Sequence, residues 1–403
     1  MLNNGQATNA VNFAGGGCTY NWVNDNPAIG LAASGTGDIK SFKAVNNGTL
    51  PLTANIEALP VPHPYAYVSN GAADNSISVV DIATNKIVTQ IKTGNEPGKP
   101  VFSADGNTIY VPNSGSNTVS VINATSEATI ATIPVGRYPN TISLSPDGSK
   151  AYVTNFNDGT ISVINTSNNK VTATFGNFDE PTGATLSKDG SILYVSNGLG
   201  AAVSVINTST NTLLKIIVVG NVPYQPFLTP DGKYLYVVNH DDHTIAVINT
   251  SSSTVTTTIN VGNDLEGMTI SSDGKFVYVT DYALGEVIEI STATNKLVTR
   301  YSTTPTPVDV AITSDGKYLY VTNWINNNTV TVFDVATGQI VTTISGFSSP
   351  WPITIHGTTS GCAPVKFTIT VNPTPAFNPT ITAGRATGTI SACQGTASAS
   401  PQI

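Results

Sequence analysis

The sequence predicts an all-β fold made mostly of one closed ring of small antiparallel sheets. Three observations support this prediction: the composition favours short strands and tight turns, a motif recurs every 42 residues, and each period contains four strand-like segments. We find no long apolar stripe with the 3.6-residue period of a helix. We therefore expect a repeat protein with little helix.

The composition limits the classes of partner. Of the 403 residues, 40% are hydrophobic and only 10% are charged, and Thr, Ser, Asn and Gly make up much of the rest. A formal net charge of −8 with only 17 Lys and Arg argues against nucleic acid and against an anionic membrane surface. No apolar run approaches the length of about 18 residues that spans a bilayer.

The repeat is visible in two separate motifs that keep the same register. An Asp-Gly pair recurs every 42 residues, at Asp105, Asp147, Asp189, Asp231, Asp273 and Asp315. A Tyr-Val-x-Asn/Asp tetrad accompanies it, at Tyr67, Tyr110, Tyr152, Tyr194, Tyr236, Tyr278 and Tyr320, with one single-residue slip between the first two copies.

Each period has the strand content of one propeller blade. In the third copy the alternating segments are "NTISLS", "KAYVTN", "TISVIN" and "VTATF", and a Pro-Asp-Gly turn lies between the first two. Glycine supplies the positive φ that such a turn needs. Four short antiparallel strands in 40 to 50 residues are typical of a blade.

The two ends of the repeat complement each other. The first copy, "HPYAYVSN", has no innermost strand before it, whereas "SPWPITIHG" after the seventh copy offers one near Trp351 to His356. Each end therefore completes the other's blade and removes the open sheet edges. The sequence predicts a seven-bladed β-propeller over residues 62–357.

Tetrads such as Tyr152-Val153-Thr154-Asn155 and Tyr320-Val321-Thr322-Asn323, with "VIN" and "VG" downstream, resemble the YVTN family of propeller repeats. That family occurs in surface-layer and other secreted or cell-surface proteins of archaea and bacteria. The resemblance covers about 296 residues and is specific for fold, but it is a poor guide to function because propellers host both enzymes and binding platforms.

Residues 1–61 have the Gly-rich and Asn-Gly-rich turns of a small β-sandwich. The run "YNWVNDNPAIGLAASGTG" resembles PKD-like, immunoglobulin-like modules of large exported Bacteroidetes proteins, and their last strand resembles "FTITVNPTP" at residues 367–375. This resemblance implies that the propeller is inserted into one module, which residues 358–375 complete. Two separate degenerate modules flanking the propeller are the alternative.

The cysteines have no metal-ligand spacing and no CxxC pattern. The insertion model implies a disulfide between Cys18 and Cys362, and three free thiols are the alternative. Residues 376–403 look like the start of a further extracellular module, in which Cys393 would pair outside this segment. We expect the chain to be part of a longer protein whose signal peptide and anchor lie elsewhere.

Signs of catalysis are few. With only four histidines, the sequence shows no Ser/His/Asp or Cys/His arrangement, no Walker loop and no GxGxxG motif. One cluster, "VNHDDHT", could offer imidazole and carboxylate ligands to a metal through His240, Asp241, Asp242 and His243. Other copies have turn residues at these positions, so an ordinary solvated turn is the alternative.

The second candidate site is the ring of loops that lead into the innermost strands, around the channel mouth. These loops and the loops facing them differ between copies, and the candidate ligand-binding residues are Glu96, Tyr138, Glu180, Tyr224, Asp264, Glu266, Asp309, Trp324 and Trp351. Such side chains converging on one axis could hold a cation or a polar ligand. Neutral drift of exposed loops is the alternative.

The leading functional hypothesis is a non-enzymatic, extracellular or cell-surface binding or adhesion protein whose propeller presents a recognition face. Its expected partner is an extracellular protein, a peptide or a polysaccharide, and no cofactor is predicted, with a divalent cation as the one candidate. The alternative hypothesis is a lactonase-type hydrolase or metal-dependent enzyme with its site at the channel mouth. A structural spacer without a ligand is the third.

Overall fold

The computed structural model describes residues 1–13, 19–61, 63–71, 74–303, 306–324, 327–358 and 365–374. Within these ranges the chain forms seven four-stranded sheets and one five-stranded sheet. The helices described are two single 3₁₀ turns, Pro27–Ile29 and Phe156–Asp158. The all-β, seven-bladed propeller predicted from the repeat is confirmed.

Strands are numbered in chain order, and each blade is given from its innermost strand outward. Blade 1 comprises β32 (Pro350–Thr358), β5 (His63–Asn70), β6 (Ser76–Asp81) and β7 (Lys86–Lys92). Blade 2 comprises β8 (Val101–Phe102), β9 (Thr108–Asn113), β10 (Thr118–Asn123) and β11 (Thr129–Pro134). Blade 3 comprises β12 (Pro139–Leu144), β13 (Lys150–Asn155), β14 (Thr160–Asn165) and β15 (Lys170–Gly176). Blade 4 comprises β16 (Pro181–Leu186), β17 (Ile192–Asn197), β18 (Ala202–Asn207) and β19 (Thr212–Val218).

The remaining strands complete the ring and the small unit. Blade 5 comprises β20 (Phe227–Leu228), β21 (Tyr234–Asn239), β22 (Thr244–Asn249) and β23 (Thr254–Asn260). Blade 6 comprises β24 (Leu265–Ile270), β25 (Phe276–Asp281), β26 (Glu286–Ser291) and β27 (Lys296–Ser302). Blade 7 comprises β28 (Pro307–Ile312), β29 (Tyr318–Asn323), β30 (Thr329–Asp334) and β31 (Ile340–Ile344). The five-stranded sheet comprises β1 (Leu2–Asn3), β33 (Val365–Asn372), β4 (Leu52–Val61), β2 (Thr19–Asn24) and β3 (Ser34–Thr36).

Blade 1 closes the ring. Its innermost strand β32 comes from the C-terminal end of the repeat and pairs antiparallel with β5 from the N-terminal end, with Ile353 opposite Val68. The two ends therefore share one sheet, as the complementary first and last copies predicted. Between blades 7 and 1, Tyr320 Oη donates to Asn85 Oδ1 at 2.6 Å.

The Tyr-Val pair of the tetrad packs neighbouring blades together. Tyr152 lies in the apolar cluster that contains Leu193 and Val195 of blade 4, whereas Val153 lies in the cluster that contains Tyr110 and Val119 of blade 2. Successive side chains of a strand point to opposite faces, so one dipeptide serves two interfaces. The tetrad is therefore a packing element.

The last residue of the tetrad is buried and holds its own blade. Asn155 is fully buried, and its Nδ2 donates to Thr160 Oγ1 at 3.0 Å and to Ser162 Oγ at 2.9 Å. The Asp-Gly turn is held by its own side chains, since Ser145 Oγ donates to Asp147 Oδ1 at 2.5 Å. Gly148 there has a φ of +70°, which an L side chain rarely adopts.

The chain divides into two compact units, Met1–Asn12 with Trp22–Ala58 and Val365–Ile403, and Phe13–Asn21 with Leu59–Pro364. In the first unit β33 runs antiparallel to β4, with Phe367 opposite Ile56, and β1 runs parallel to β33. Two isolated β-bridges, between residues 7 and 43 and between residues 11 and 39, lie in the same unit. Insertion of the propeller into a PKD-like module stays a prediction.

The predicted Cys18–Cys362 disulfide and residues 376–403 lie outside the described residues. In the part of the chain that the structure describes, no helix has the length and hydrophobicity of a bilayer span.

Candidate functional site: the channel mouth

The loops that lead into the innermost strands share a fixed backbone at the mouth. Glu96, Tyr138 and Glu180 occupy equivalent positions and have φ values of 54°, 56° and 52°. Asparagine side chains of the facing loops hold two of these amides: Glu96 N donates to Asn75 Oδ1 at 3.1 Å, and Tyr138 N donates to Asn117 Oδ1 at 2.9 Å. The backbone is thus constant while the side chains differ from blade to blade.

The predicted mouth residues of blades 5 and 6 converge on one imidazole. His240 Nε2 lies 3.2 Å from Asp264 Oδ1 and 3.3 Å from Glu266 Oε1, and its Nδ1 lies 2.9 Å from Asp241 Oδ1. The ring of Tyr224 stacks on the imidazole, with centroids 4.8 Å apart. We call His240, Asp264 and Glu266 the blade 5–6 cluster.

This cluster has a strongly negative electrostatic environment. The hydrogen bond with Glu266 is the main cause that raises the pKa of His240 to about 9, with Asp241 and Asp264 contributing and burial opposing. Burial, followed by the nearby carboxylates, raises the pKa of Tyr224. Glu266 Oε2 is buried and has no hydrogen-bond partner among the described residues. One carboxylate oxygen of the cluster therefore has unused acceptor capacity.

The four residues predicted from "HDDH" do not converge on one point. Asp242 turns away from His240 and accepts hydrogen bonds from Asn221 N and Nδ2, both at 2.9 Å. The same carboxylate lines a cleft of about 410 Å³ that also contains Val218. His243 is exposed and has a φ of 56°, at the position that Asn117 occupies in blade 2. It is a turn residue, and the sequence cluster supplies only His240 and Asp241 to the mouth.

Asp309 was predicted on a mouth loop, but it lies within β28 and is only 3% exposed. Its Oδ2 accepts a hydrogen bond from Lys99 Nζ at 2.9 Å and another from Ile353 N at 3.0 Å. Lys99 Nζ also lies 5.6 Å from the centroid of the Phe227 ring. The side chain of Lys99 from blade 2 thus contacts blades 7 and 5 inside the ring.

Sequence reasoning missed Lys99. The available signal was its position in the repeat, since the equivalent residues are Thr141, Gly183, Gln225, Gly267 and Asp309. A lysine and an aspartate at the same position of two blades are complementary in charge. The repeat alone does not show that these two side chains are in contact.

Exposed aromatic side chains lie elsewhere on the mouth. Trp324 and Trp351 form a pair with ring centroids 5.7 Å apart, and Trp351 is 42% exposed. Tyr138 is 41% exposed and lies 5.8 Å from Phe156. Aromatic rings that combine an apolar face with a polar tip are common at recognition surfaces.

On the mouth face, ion pairs neutralise the positive side chains more completely than the negative ones. Lys92, Lys99 and Arg137 are each paired with an aspartate, at 3.2, 2.9 and 2.5 Å. By contrast, Glu96 is exposed and Glu180 is half-buried at the rim. The mouth is therefore acidic as well as aromatic.

The chain was compared with protein families, curated proteins and solved structures, and these comparisons identify its fold. The model of the cytochrome D1 heme domain family matches residues 193–314, which is less than half of the chain. No curated protein matches.

Three solved structures illustrate the structural likeness. Hydrazine synthase of Kuenenia stuttgartiensis is 22% identical with a TM-score of 0.61, over 72% of this chain and 93% of that one. A putative 6-phosphogluconolactonase of Bacteroides uniformis is 15% identical with a TM-score of 0.63, over 73% of this chain and 100% of that one. Dihydro-heme d1 dehydrogenase NirN is 15% identical with a TM-score of 0.57, over 72% of this chain and 74% of that one. At these identities the likeness shows the β-propeller fold alone.

Proposed function

We propose that this protein is a non-enzymatic binding protein of the cell surface or extracellular space, and that the acidic, aromatic mouth of its propeller recognises an exposed basic segment of a partner protein. The observation that carries the proposal is the acidic rim of the mouth, where Glu96 is exposed while Lys92, Lys99 and Arg137 are each paired with an aspartate.

The charge of the face supports a basic partner. Lys92, Lys99 and Arg137 are each paired with an aspartate, while Glu96, Asp179 and Glu180 lie at the rim. Complementary charge directs encounter and selects partners. Trp351 and Tyr138 add exposed rings over which a Lys or Arg side chain can lie.

Localisation rests on the resemblance of the repeats to YVTN proteins and of the flanks to PKD-like modules, together with the low content of charge and cysteine. On this view the sandwich units space the propeller from its anchor. Adhesion or matrix binding is the corresponding role.

The enzyme alternative finds little support at the mouth. A hydrolase that acts on a phosphorylated lactone needs a cationic group for the phosphate. Arg137 is already paired with Asp158, and Lys99 is committed to Asp309. The lactonase reading therefore stays the second hypothesis, and release of acid from phosphogluconolactone by the purified chain would favour it.

A haem does not fit the residues around His240. Both ring nitrogens of His240 lie within 3.3 Å of carboxylates, so neither is available as an axial ligand without displacing one of them. A haem also carries carboxylates of its own, which Asp241, Asp264 and Glu266 would repel. We therefore assign no haem chemistry to this chain.

The test is binding of a synthetic peptide library rich in Lys and Arg to the full chain, against the same library with acetylated lysines and citrulline in place of arginine. The proposal expects binding of the basic library that weakens with added salt, because exposed charges are screened within about 8 Å at physiological ionic strength. The Glu96→Gln, Glu180→Gln double variant should bind at least tenfold more weakly, and Glu127→Gln, which removes a carboxylate from the β10–β11 turn, should bind normally. Equal binding of both libraries, or binding only to a polysaccharide array, would contradict the proposal.

A further inference from the structure

We propose that the blade 5–6 cluster is a binding site for a first-row transition-metal dication such as Zn²⁺ or Co²⁺, with His240 Nε2, Asp264 and Glu266 as its protein ligands. The proposal goes beyond the binding function above and does not depend on it, because the rim residues Glu96 and Glu180 belong to other blades. It differs from the "HDDH" candidate in drawing two of its three ligands from the neighbouring blade.

The distances suit one shared ion. Ligand atoms bound about 2.1 Å from a metal lie about 3.0 Å apart at right angles and about 3.4 Å apart in a tetrahedron. His240 Nε2 lies 3.2 and 3.3 Å from its two carboxylate oxygens, and all three ligand atoms lie within 4.8 Å of one another. Small shifts would place an ion at bonding distance from the three atoms.

A second observation points to a missing partner. Glu266 Oε2 is buried and lacks a hydrogen-bond partner among the described residues, although the whole side chain is 15% exposed. Buried polar atoms are normally satisfied, so an unsatisfied carboxylate oxygen indicates a bound ion or water. A metal bound by both oxygens of Glu266 would satisfy it.

The imidazole is already oriented as a metal ligand. Asp241 lies 2.9 Å from Nδ1, the nitrogen that would not bind metal, and Tyr224 stacks on the ring. Carboxylates in this position fix the orientation of metal-binding histidines and raise their basicity. Mixed imidazole and carboxylate ligands favour transition metals over Ca²⁺ and Mg²⁺, which prefer oxygen alone.

The repeat supplies variants that the fold already accepts. His240 occupies the position of Ser114, and His243 occupies the position of Asn117. His240→Ser therefore removes a ligand, and His243→Asn removes a histidine of the same loop that is not a ligand. Glu266→Gln keeps the shape of the side chain and removes its charge, and Asp241→Asn tests the orienting carboxylate.

The experiment uses the full chain, produced without a polyhistidine tag and dialysed against chelator. Zn²⁺ binding is measured by calorimetry, Co²⁺ binding by visible absorption, and Ca²⁺ serves as the hard-ion comparison. We expect one equivalent of Zn²⁺ or Co²⁺, at least a tenfold loss of affinity in His240→Ser and Glu266→Gln, about a tenfold loss in Asp241→Asn, and no change in His243→Asn.

Several results would overturn the proposal: no saturable uptake by the wild type, uptake unchanged by both His240→Ser and Glu266→Gln, or tighter binding of Ca²⁺ than of Zn²⁺. Thermal melting checks that each variant is folded, and Asp264→Asn replaces any variant that is not. Because peptide binding is measured separately with the rim variants, failure here leaves the binding function testable.

Discussion

Lys99 and Asp309 are 210 residues apart in the sequence, yet Nζ of one lies 2.9 Å from Oδ2 of the other inside the ring. The two side chains are 20% and 4% exposed. Asp309 also accepts a hydrogen bond from the backbone amide of Ile353 in β32. This ion pair joins blade 2 to blade 7 across the innermost strand of blade 1. It therefore links the last blade to the first two.

Replacing Lys99 with Met should destabilise the propeller. The change leaves the Asp309 carboxylate buried without its cation, which in buried pairs costs about 3–5 kcal/mol, and the partial exposure of Lys99 reduces this to about 2–3 kcal/mol. Urea unfolding followed by tryptophan fluorescence measures the loss. Lys170→Met, at an exposed strand end, is the control, and a loss no larger than that of the control would show that the pair contributes little.

Replacing Asn155 with Ala should weaken blade 3. The change leaves Thr160 and Ser162 without the amide group that donates to both hydroxyls, and unsatisfied buried polar groups cost about 1–3 kcal/mol. Thermal unfolding compares it with Asn157→Ala, an exposed residue two positions along. Equal melting temperatures for the two variants would contradict a structural role for the tetrad asparagine.

Replacing Tyr320 with Phe should loosen the junction between blades 7 and 1. The change removes the hydrogen bond to Asn85, worth about 0.5–1.5 kcal/mol, and keeps the ring packed. Tyr236→Phe, which removes the bond to Asn295 between blades 5 and 6, is the matched control. Hydrogen exchange should speed up at the β6–β7 turn in the first variant and at the β26–β27 turn in the second, and the same pattern in both would argue against local effects.

The Asp-Gly turns should resist acid. Hydrogen bonds from Ser145 and Ser149 lower the pKa of Asp147 from 3.8 to about 2. A folded-state pKa below the unfolded one stabilises the protein above the unfolded pKa, and this contribution disappears as the pH falls through the folded pKa. The stability difference between wild type and Asp147→Asn should therefore shrink from about pH 4 to about pH 2.

Nuclear magnetic resonance titration of the Asp147 carboxyl tests this directly. A midpoint near 3.8 would mean that the turn does not hold the ionised carboxylate in solution.

The propeller could be predicted because the sequence features that specify each blade are local and are repeated. Gly148 permits the turn, Tyr152 and Val153 face opposite neighbours, and the same pattern returns 42 residues later, so each blade is specified within its own segment. Even the closure followed from counting strands at the two ends. Prediction was weakest where copies differ, since a departure from the repeat indicates a candidate position but not its partner.

The mouth shows that limit. His240 was predicted from its loop, but its partners Asp264 and Glu266 come from the next blade, and Asp242 and His243 turn elsewhere. Distances across the ring depend on how seven twisted sheets close, which no single copy encodes.

From the amino-acid order alone came the number of blades, the packing role of the tetrad, the acidic balance and the residues that deviate from the repeat. Only the tertiary structure decided which of the deviating residues are in contact. Lys99 pairs with Asp309 inside the ring, and His240 lies beside two carboxylates at the mouth. The physical reason is the separation along the chain over which each interaction is specified. Turns and strand alternation act over a few residues, whereas ion pairs and metal-ligand sets need atoms within about 4 Å, whatever their separation along the chain.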